Sequence, residues 1–570
     1  VAFNNTGADI VNRTVTVAVG EVSVSAPLNV KNGQAALVVT GLQAQVAGFV
    51  SLSGDFGVRR LAGATAVQDE LFIVSNKAAA SLTAGAAVRA GVSNATVALM
   101  IRGDQKVALQ ATGAVDLSLG NGFASASATA VGVAFNNTGA DIVNRTVTVT
   151  VGNVSVSAPL NVKNGQAALV VTGLQAQVAG FVSLSGDFGI QRTPGTTAAQ
   201  DELLIVSNQA AASLTAGTLV RAGVSKATVA LMIRGDQKMA LQATGAADLS
   251  LGNGFASATA AGVGVAFNNT GADIVNRTVT VAVGEFSVSA PLNVKNGQTA
   301  LVVTGLKAQV AGFVSVSGDF GIQKTPGAIA AQDELLIVSN QAAASLTAGT
   351  LVRAGVSQAT VALMIRGDQK LALQATGAAD LSLGNGFASA RATGVGVAFN
   401  NTGADIVNRT VTVAVGGVSV SAPLNVKNGQ VALVVTGLQA QVADFVSLSG
   451  DFGIQKTPGA TADQDELLIV SNQAAASLTA GTLVRAGVSK ATVALMIRGD
   501  QKLALQATGA VDLSLGDGFA SASATGVGVA FNNTGADIVN RTVTVAVGEV
   551  SVSAPLNVKN GQAALVVTGL

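Results

Sequence analysis

The sequence predicts an all-β chain of tandem repeats, and three observations carry that prediction. VAFNNTGADIVNRTVTV begins at Val1, Val133, Val265, Val397 and Val529, always 132 residues on. Within each copy the apolar residues recur with a period of two, as on a half-buried strand. Gly-rich two- and three-residue punctuation separates these runs, and no segment has the 3.6-residue periodicity of an amphipathic helix. Four full copies (1–132, 133–264, 265–396, 397–528) are followed by the start of a fifth, 529–570. No residue is inserted or deleted between copies. A one-residue slip in a strand would send every side chain to the other face, so an unbroken period is expected where each copy docks identically on the next.

The elements follow in chain order. Val15, Val17 and Val19 alternate with Thr14, Thr16 and Ala18. The phase then flips to Val22, Val24, Leu28 and Val30 across Gly20-Glu21. A two-residue loop there pairs Val19 with Val22 and Val17 with Val24. Gly stands first in the loop in every copy, as a type II′ turn requires. Lys31-Asn32-Gly33-Gln34 contains Asn-Gly, a strong hairpin signal, and predicts Val30 opposite Ala35 and Leu28 opposite Leu37. From Leu42 the apolar residues fall on even positions (Val46, Val50, Leu52, Phe56, Val58), with Gly48 and Gly54 as bulges or bends. A three-residue loop centred on Asp104 sets Ile101 against Val107 and Leu99 against Leu109. Gly120-Asn121-Gly122 marks another turn. Ala78-Ala79-Ala80 sits between strand-like segments and is read as strand.

This gives about eight strands per copy, most of about ten or more residues, joined mainly by short antiparallel connections. Eight strands at about 4.8 Å would advance about 38 Å per copy in an unclosed sheet. The less apolar face carries small neutral residues (Ser51, Ser53, Ser118 and the run from Ala124), while charges gather near turns. That face is expected to be partly covered by a second sheet, a tube interior or neighbouring copies. Few Pro and no charged or Ser/Gly-rich linker favour a continuous elongated sheet, tube or rod. The alternative is a string of β-sandwich or barrel domains.

Composition narrows the function. There is no Cys, His, Trp or Tyr, charged residues are 11%, and Lys+Arg (32) nearly balances Asp+Glu (31). Disulfide frameworks, thiolate or imidazole zinc sites and Ser-His-Asp triads are excluded. A net charge of +1 gives no general attraction to nucleic acid. No run of about 18 apolar residues predicts a membrane-spanning helix. The opening at Val1 and the stop inside a repeat read as a window in a longer chain.

Phe49-Val-Ser-Leu-Ser-Gly-Asp-Phe-Gly57, the segment DELFIVSN from Asp69 and the hairpin Val97 to Gly113 are similar to phrases of very large tandem-repeat bacterial proteins. These are adhesin-like surface or extracellular proteins. The resemblance covers the whole chain. It implies an exported, structural or adhesive role and supplies no catalytic residues.

Candidate chemistry is sparse. Arg102-Gly103-Asp104 recurs in each full copy, either as an integrin-type ligand or as ordinary turn chemistry. Asp55-Phe56-Gly57 mimics the kinase magnesium triplet without its companions. Asp69-Glu70 is an adjacent acidic pair whose side chains point oppositely on an extended strand. Asn4, Asn5 and Asp9 could offer oxygens to calcium without matching a known calcium loop. Asn4 and Asn12 lie in Asn-x-Thr glycan acceptor triplets. Arg13-Thr14-Val15-Thr16 has the Thr-x-Thr spacing of ice-binding ladders but is more simply a strand. No catalytic, cofactor or metal residue is assigned and no enzyme is expected. The expected function is a structural fibre, tube or stalk outside the cell or on its surface, self-associating through neighbouring repeats or copies and touching cell surface or matrix. A giant adhesin's spacer is the first alternative and an outer-membrane β-barrel the lower one. The latter lacks the Trp and Tyr of aromatic girdles.

Overall fold

In the computed structural model, residues 1–46, 48–85, 87–120 and 122–570 are described. The chain is all-β, with 36 strands and four single-turn 3₁₀ segments among these residues. The first copy contains eight long strands: β1 Ile10–Val19, β2 Val22–Val30, β3 Ala35–Val46, β4 Val50–Leu61, β5 Glu70–Ala84, β6 Val88–Arg102, β7 Val107–Leu119 and β8 Ala124–Asn136. The second repeats them, opening with β9 Ile142–Val151, β10 Val154–Val162 and β11 Ala167–Val178. Most β strands are nine to fifteen residues long, as the sequence predicts.

Among the described residues twenty-six strands belong to one antiparallel sheet, and the other ten form five two-stranded hairpins. By contacts the chain divides into two compact units, 1–247 with 266–296, and 248–265 with 297–570. In the first unit, β3 to β8 pair in chain order and β8 then pairs with β11, from Ala124 opposite Val178 to Phe135 opposite Ala167. The sheet therefore passes from copy to copy and skips β9 and β10. The second unit repeats the rule: 388–400 pairs with 431–442, and 520–532 with 563–568. Six strands, not eight, extend the sheet, so a copy contributes about 29 Å at about 4.8 Å per strand.

The turns account for both the agreements and the one departure. Gly20 has φ +64 while Glu21 has a negative φ, a II′ pattern, and Val19 pairs with Val22 and Val17 with Val24. Across Gly103–Gln105, Ile101 pairs with Val107 and Leu99 with Leu109. Gly54 sits at a register shift between β4 and β5, and Ala78–Ala80 are strand. In the turn predicted at Gly120-Asn121-Gly122, Asn121 lies outside the described residues, and Leu119 pairs with Ala124 across it.

Lys31–Gln34 does not make a hairpin. The turn is closed by Gln34 N–H donating to Lys31 O at 3.1 Å, but only Gly33 has a positive φ, +71. That is type II geometry, which splays the flanking strands, whereas the type I′ hairpin needs positive φ at both central residues. Asp9 accepts from Asn32 N–H at 2.7 Å and Asn32 accepts from Gly7 N–H at 3.0 Å, which fixes the turn from outside. The chain thus leaves the β1–β2 layer and enters the sheet.

From the second copy to the fifth, each hairpin lies on a face of the sheet formed by the copy before it, and the core is between the two layers. Val147, Val149, Val156, Ala158, Leu160 and Val162 of β9 and β10 are buried with Val74, Ala98, Met100, Ala108 and Ala134 of the preceding copy's sheet. The expectation of a covered small-residue face holds in part: hairpins cover its half nearest the charged turns. Most of the other large Leu, Ile, Val and Phe side chains of the sheet face the other way, with Phe72 and Val74 among those kept under the hairpin.

The fit is steric. A Cβ on Gly57 would lie 2.8 Å from Val149 Cβ, on Gly189 2.7 Å from Val281 and on Gly321 2.8 Å from Val413. Each hairpin valine fills the space a side chain would take. Gly189→Val is therefore expected to lift the hairpin 274–294. Overpacking of about 1–3 kcal/mol would speed exchange of its amide protons by about 10- to 100-fold, with the strand 202–216 protected as before. Unchanged hairpin exchange by mass spectrometry would contradict the seat.

Candidate functional site

The feature that recurs with most chemistry is the seat of the hairpin. Glu70 opens β5 on the covered face, and Arg145 of β9 reaches it at 3.2 Å and also donates to Met100 Sδ at 3.2 Å. The same partners, 75 residues apart, meet as Glu202 with Arg277, Glu334 with Arg409 and Glu466 with Arg541, each at 2.8 Å. In these three pairs both guanidinium nitrogens engage both carboxylate oxygens. The groups are about one-third exposed, so each pair contributes about 0.2–1 kcal/mol and chiefly sets direction.

A second latch uses a buried amide. Gln110, in β7, accepts from Asn161 N–H of β10 at 2.7 Å. Gln242 with Asn293, Gln374 with Asn425 and Gln506 with Asn557 repeat the contact at 2.7–2.8 Å. It satisfies a hairpin N–H that the sheet ladder cannot reach. The hairpin also reaches one copy further back: Val283 packs on Gly132 in the first unit, and Val415 on Gly264 in the second. Each such hairpin therefore bridges the sheets of the two copies before it.

The sequence-predicted candidates resolve into structural roles. Asn4 is buried. Its amide group donates to Ala8 O (3.0 Å) and Val30 O (2.8 Å), and its oxygen accepts from Thr6 N–H and hydroxyl. Asn136, Asn268, Asn400 and Asn532 do the same in later copies. With both amide hydrogens so used, Asn4 has no room for a glycan in the folded chain. Asn12 is exposed with φ +52 and exchanges hydrogen bonds with Asn29. Asp9 serves the Asn32 turn, and Asn137, the counterpart of Asn5, accepts from Val107 N–H. Among the described residues no three acidic groups come together as a metal site would need.

Asp55 caps the bulge at Gly41 by accepting its N–H at 2.7 Å, and Gly57 is the Val149 seat, so the kinase-like triplet is a packing device. The Arg-Gly-Asp turn is held inward. Arg102 donates to Thr138 O at 3.0 Å and lies 3.6 Å from Asp104, and Gly103 N–H donates to Asp69 O. Asp69 and Glu70 have separate partners, Arg60 with Gly63 N–H for one and Arg145 for the other. Thr16 bonds Ser25 across the hairpin at 2.7 Å. Sequence reasoning missed the hairpin seat altogether; the Gly at 57, always preceded by Asp-Phe, was its one visible trace.

The turn carboxylates are electrostatically tuned. Arg60 and then the Gly63 N–H hold Asp69 below the usual carboxylate range, and the Gly195 N–H and then Arg192 do so for Asp201. Asp104 is also lowered: partial desolvation pushes it up, but the Lys106 N–H and the charges of Arg102 and Lys106 outweigh that. A depressed folded-state value contributes stability that is complete above the unfolded value, about 3.9, and is lost as pH falls through the folded one. The thermal midpoint is therefore expected to fall as pH drops below about 4, and less steeply in Asp201→Asn. Equal slopes for the variant would contradict this.

The two latches also rank. Glu202→Gln is expected to cost at most about 1 kcal/mol in denaturant unfolding. Gln242→Ala leaves the Asn293 N–H unpaired and is expected to cost about 1–3 kcal/mol. The opposite order would overturn the assignment of Gln242.

Among the described residues no helix is long and apolar enough to cross a membrane. Comparison with protein-family models, with curated proteins and with solved structures finds no match to this chain.

Proposed function

We propose that the chain is a structural element, a tandem-repeat scaffold in which each hairpin staples its copy to those before it. The observation that carries this is the constancy of the seat. The Val-on-Gly contact, the Glu–Arg pair 75 residues apart and the Gln–Asn contact 51 residues apart return with each hairpin from the second copy to the fifth. Identical joints are what a scaffold of many copies needs. The charged groups named above are spent on turns and latches inside the chain, which supports a role without catalysis.

An extracellular or cell-surface setting is supported by the resemblance to large repetitive surface proteins. Self-association through neighbouring copies is supported by the hairpins' dependence on another copy. In the first copy Val17, Val19 and Val22 are 66%, 79% and 73% exposed, whereas Val149 is fully buried. A spacer of a giant adhesin shares this architecture and differs in carrying a terminal binding domain.

The test is thermodynamic. Residues 529–570 supply the hairpin over the fourth copy's sheet. Their removal is expected to speed amide exchange across 466–515 and lower the denaturant midpoint, because repeat arrays are stabilised by nearest-neighbour interfaces. An unchanged midpoint and unchanged exchange would mean self-sufficient domains and overturn the scaffold.

A further inference from the structure

The sheet face opposite the hairpins is unpartnered and almost wholly apolar. In the first unit Leu169, Val171, Phe188, Ile190, Ile205 and Val229 line a shallow groove of about 330 Å³, with Ser207 as its polar side chain. The second unit has two more, lined by the residues at the same positions of the third and fourth copies. The surface between them is of the same kind: Leu301, Ile322, Ile337, Leu363, Leu373 and Phe399 are successive cross-strand partners. Contiguous apolar surface of this extent marks a binding face.

A second observation identifies the partner. The strand connections at one end of the sheet carry charges such as Asp201, Asp236 and Lys238, with Arg192 and Arg234 at the strand ends beside them. Those at the other end read Ala-Gly-Phe, Gly-Thr-Leu and Gly-Asn-Gly-Phe in the second and third copies, without a charge. Their tips stand in solvent: Phe181, Phe313, Leu219 and Leu351 are 53–67% exposed. A second sheet stacked on the apolar face would leave these tips uncovered. A hydrocarbon surface accommodates the face and the tips together.

We infer that this face and its Phe- and Leu-tipped rim bind a phospholipid bilayer surface. The sheet rests on the membrane through its apolar side, with the hairpins and the charged end kept in water. The interaction is hydrophobic in kind, since net charge is +1 and the arginines nearest the rim of the third copy, Arg353 and Arg391, are set around Asp380. The fourth copy, with Asp444 and Asp517 in its rim connections, binds least well.

The chain has no Trp or Tyr, so a single Trp reports only on its own site. Phe181→Trp on the rim and Ile190→Trp on the face, each in the 570-residue chain, are mixed with phosphatidylcholine vesicles, plain or brominated on the acyl chains. Both emissions are expected to shift to the blue and to be quenched by the brominated lipid, equally at low and high salt. Phe181→Asp with Phe313→Asp is expected to lower vesicle co-flotation by about tenfold at unchanged circular dichroism. Leu219→Trp replaces a rim probe that fails to fold. Emission unaltered by vesicles overturns the inference. So does a face probe already blue-shifted without lipid in a chain sedimenting as a dimer, which would assign the face to a second copy.

Discussion

The structure depends on one constraint: a hairpin whose valines cannot be buried by the copy that contains them. Val17 and Val149 occupy the same position of the repeat, yet one is two-thirds exposed and the other has no exposure, because only the second lies on a preceding sheet. Burying a valine or leucine is worth about 1.5–3 kcal/mol, so the apolar residues of one hairpin outweigh its ion pair several-fold. This explains the unbroken 132-residue period. An insertion within a paired strand between Gly189 and Val281 would move the valine off its glycine, and a glycine seat has no tolerance for a misplaced methyl group.

The polar contacts do a different job. Valine on glycine specifies proximity but not direction, and a two-stranded ribbon can slide by two residues along a pleated face. Arg277 clamping Glu202 from one hairpin strand and Gln242 catching the Asn293 N–H of the other, both near the hairpin's open end, leave a single register. Substitution at the seat is tolerated when the partner changes too. In the first copy Arg59 and Arg145 stack over Phe72, at 5.5 and 4.9 Å. Burial pushes the Arg59 guanidinium below its ordinary value, with Glu70 opposing and Arg145 adding to the shift. In the second copy the corresponding residues are Gln191, bonded to Thr193 at 2.9 Å, and Leu204, a smaller and neutral solution in the same space.

The strands, their lengths and two of the turn registers were legible because they are local. Gly20-Glu21 and Gly103-Asp104-Gln105 fix pairing through backbone dihedrals that neighbouring residues decide. Asn32-Gly33 misled because Asn-Gly suits either a type I′ or a type II turn. The choice between them is made by Asp9 and Gly7, more than twenty residues away. The layer change followed from that choice, so the sequence reading ran eight strands through the sheet where six belong. The seat stayed hidden for the same reason. Alternation and the scarcity of charge identified the small-residue face as a covered one, but not that a hairpin of the next copy covers it. What the hairpin needs is a shallow surface of Ala and Gly, which in sequence looks like weak amphipathicity and in three dimensions is a socket.

The socket also settles how such a sheet avoids the hazard of long, weakly charged strands. Cross-β stacking needs two flat faces open to identical neighbours. Here one face is occupied by hairpins of the same chain, held by steric fit and two latches, so stacking without limit is blocked on that side. The remaining face is left apolar, and in the second and third copies the adjoining rim carries no charge either. Had solubility been the sole demand, Lys or Glu at positions such as Leu169, Ile190 and Ile205 would have cost the hairpin seat nothing, since these side chains point away from it. The apolar residues return at the same places in the third and fourth copies. The layer that joins the copies and the layer that meets the surroundings are thus separate, and the pleat of a single sheet keeps them apart.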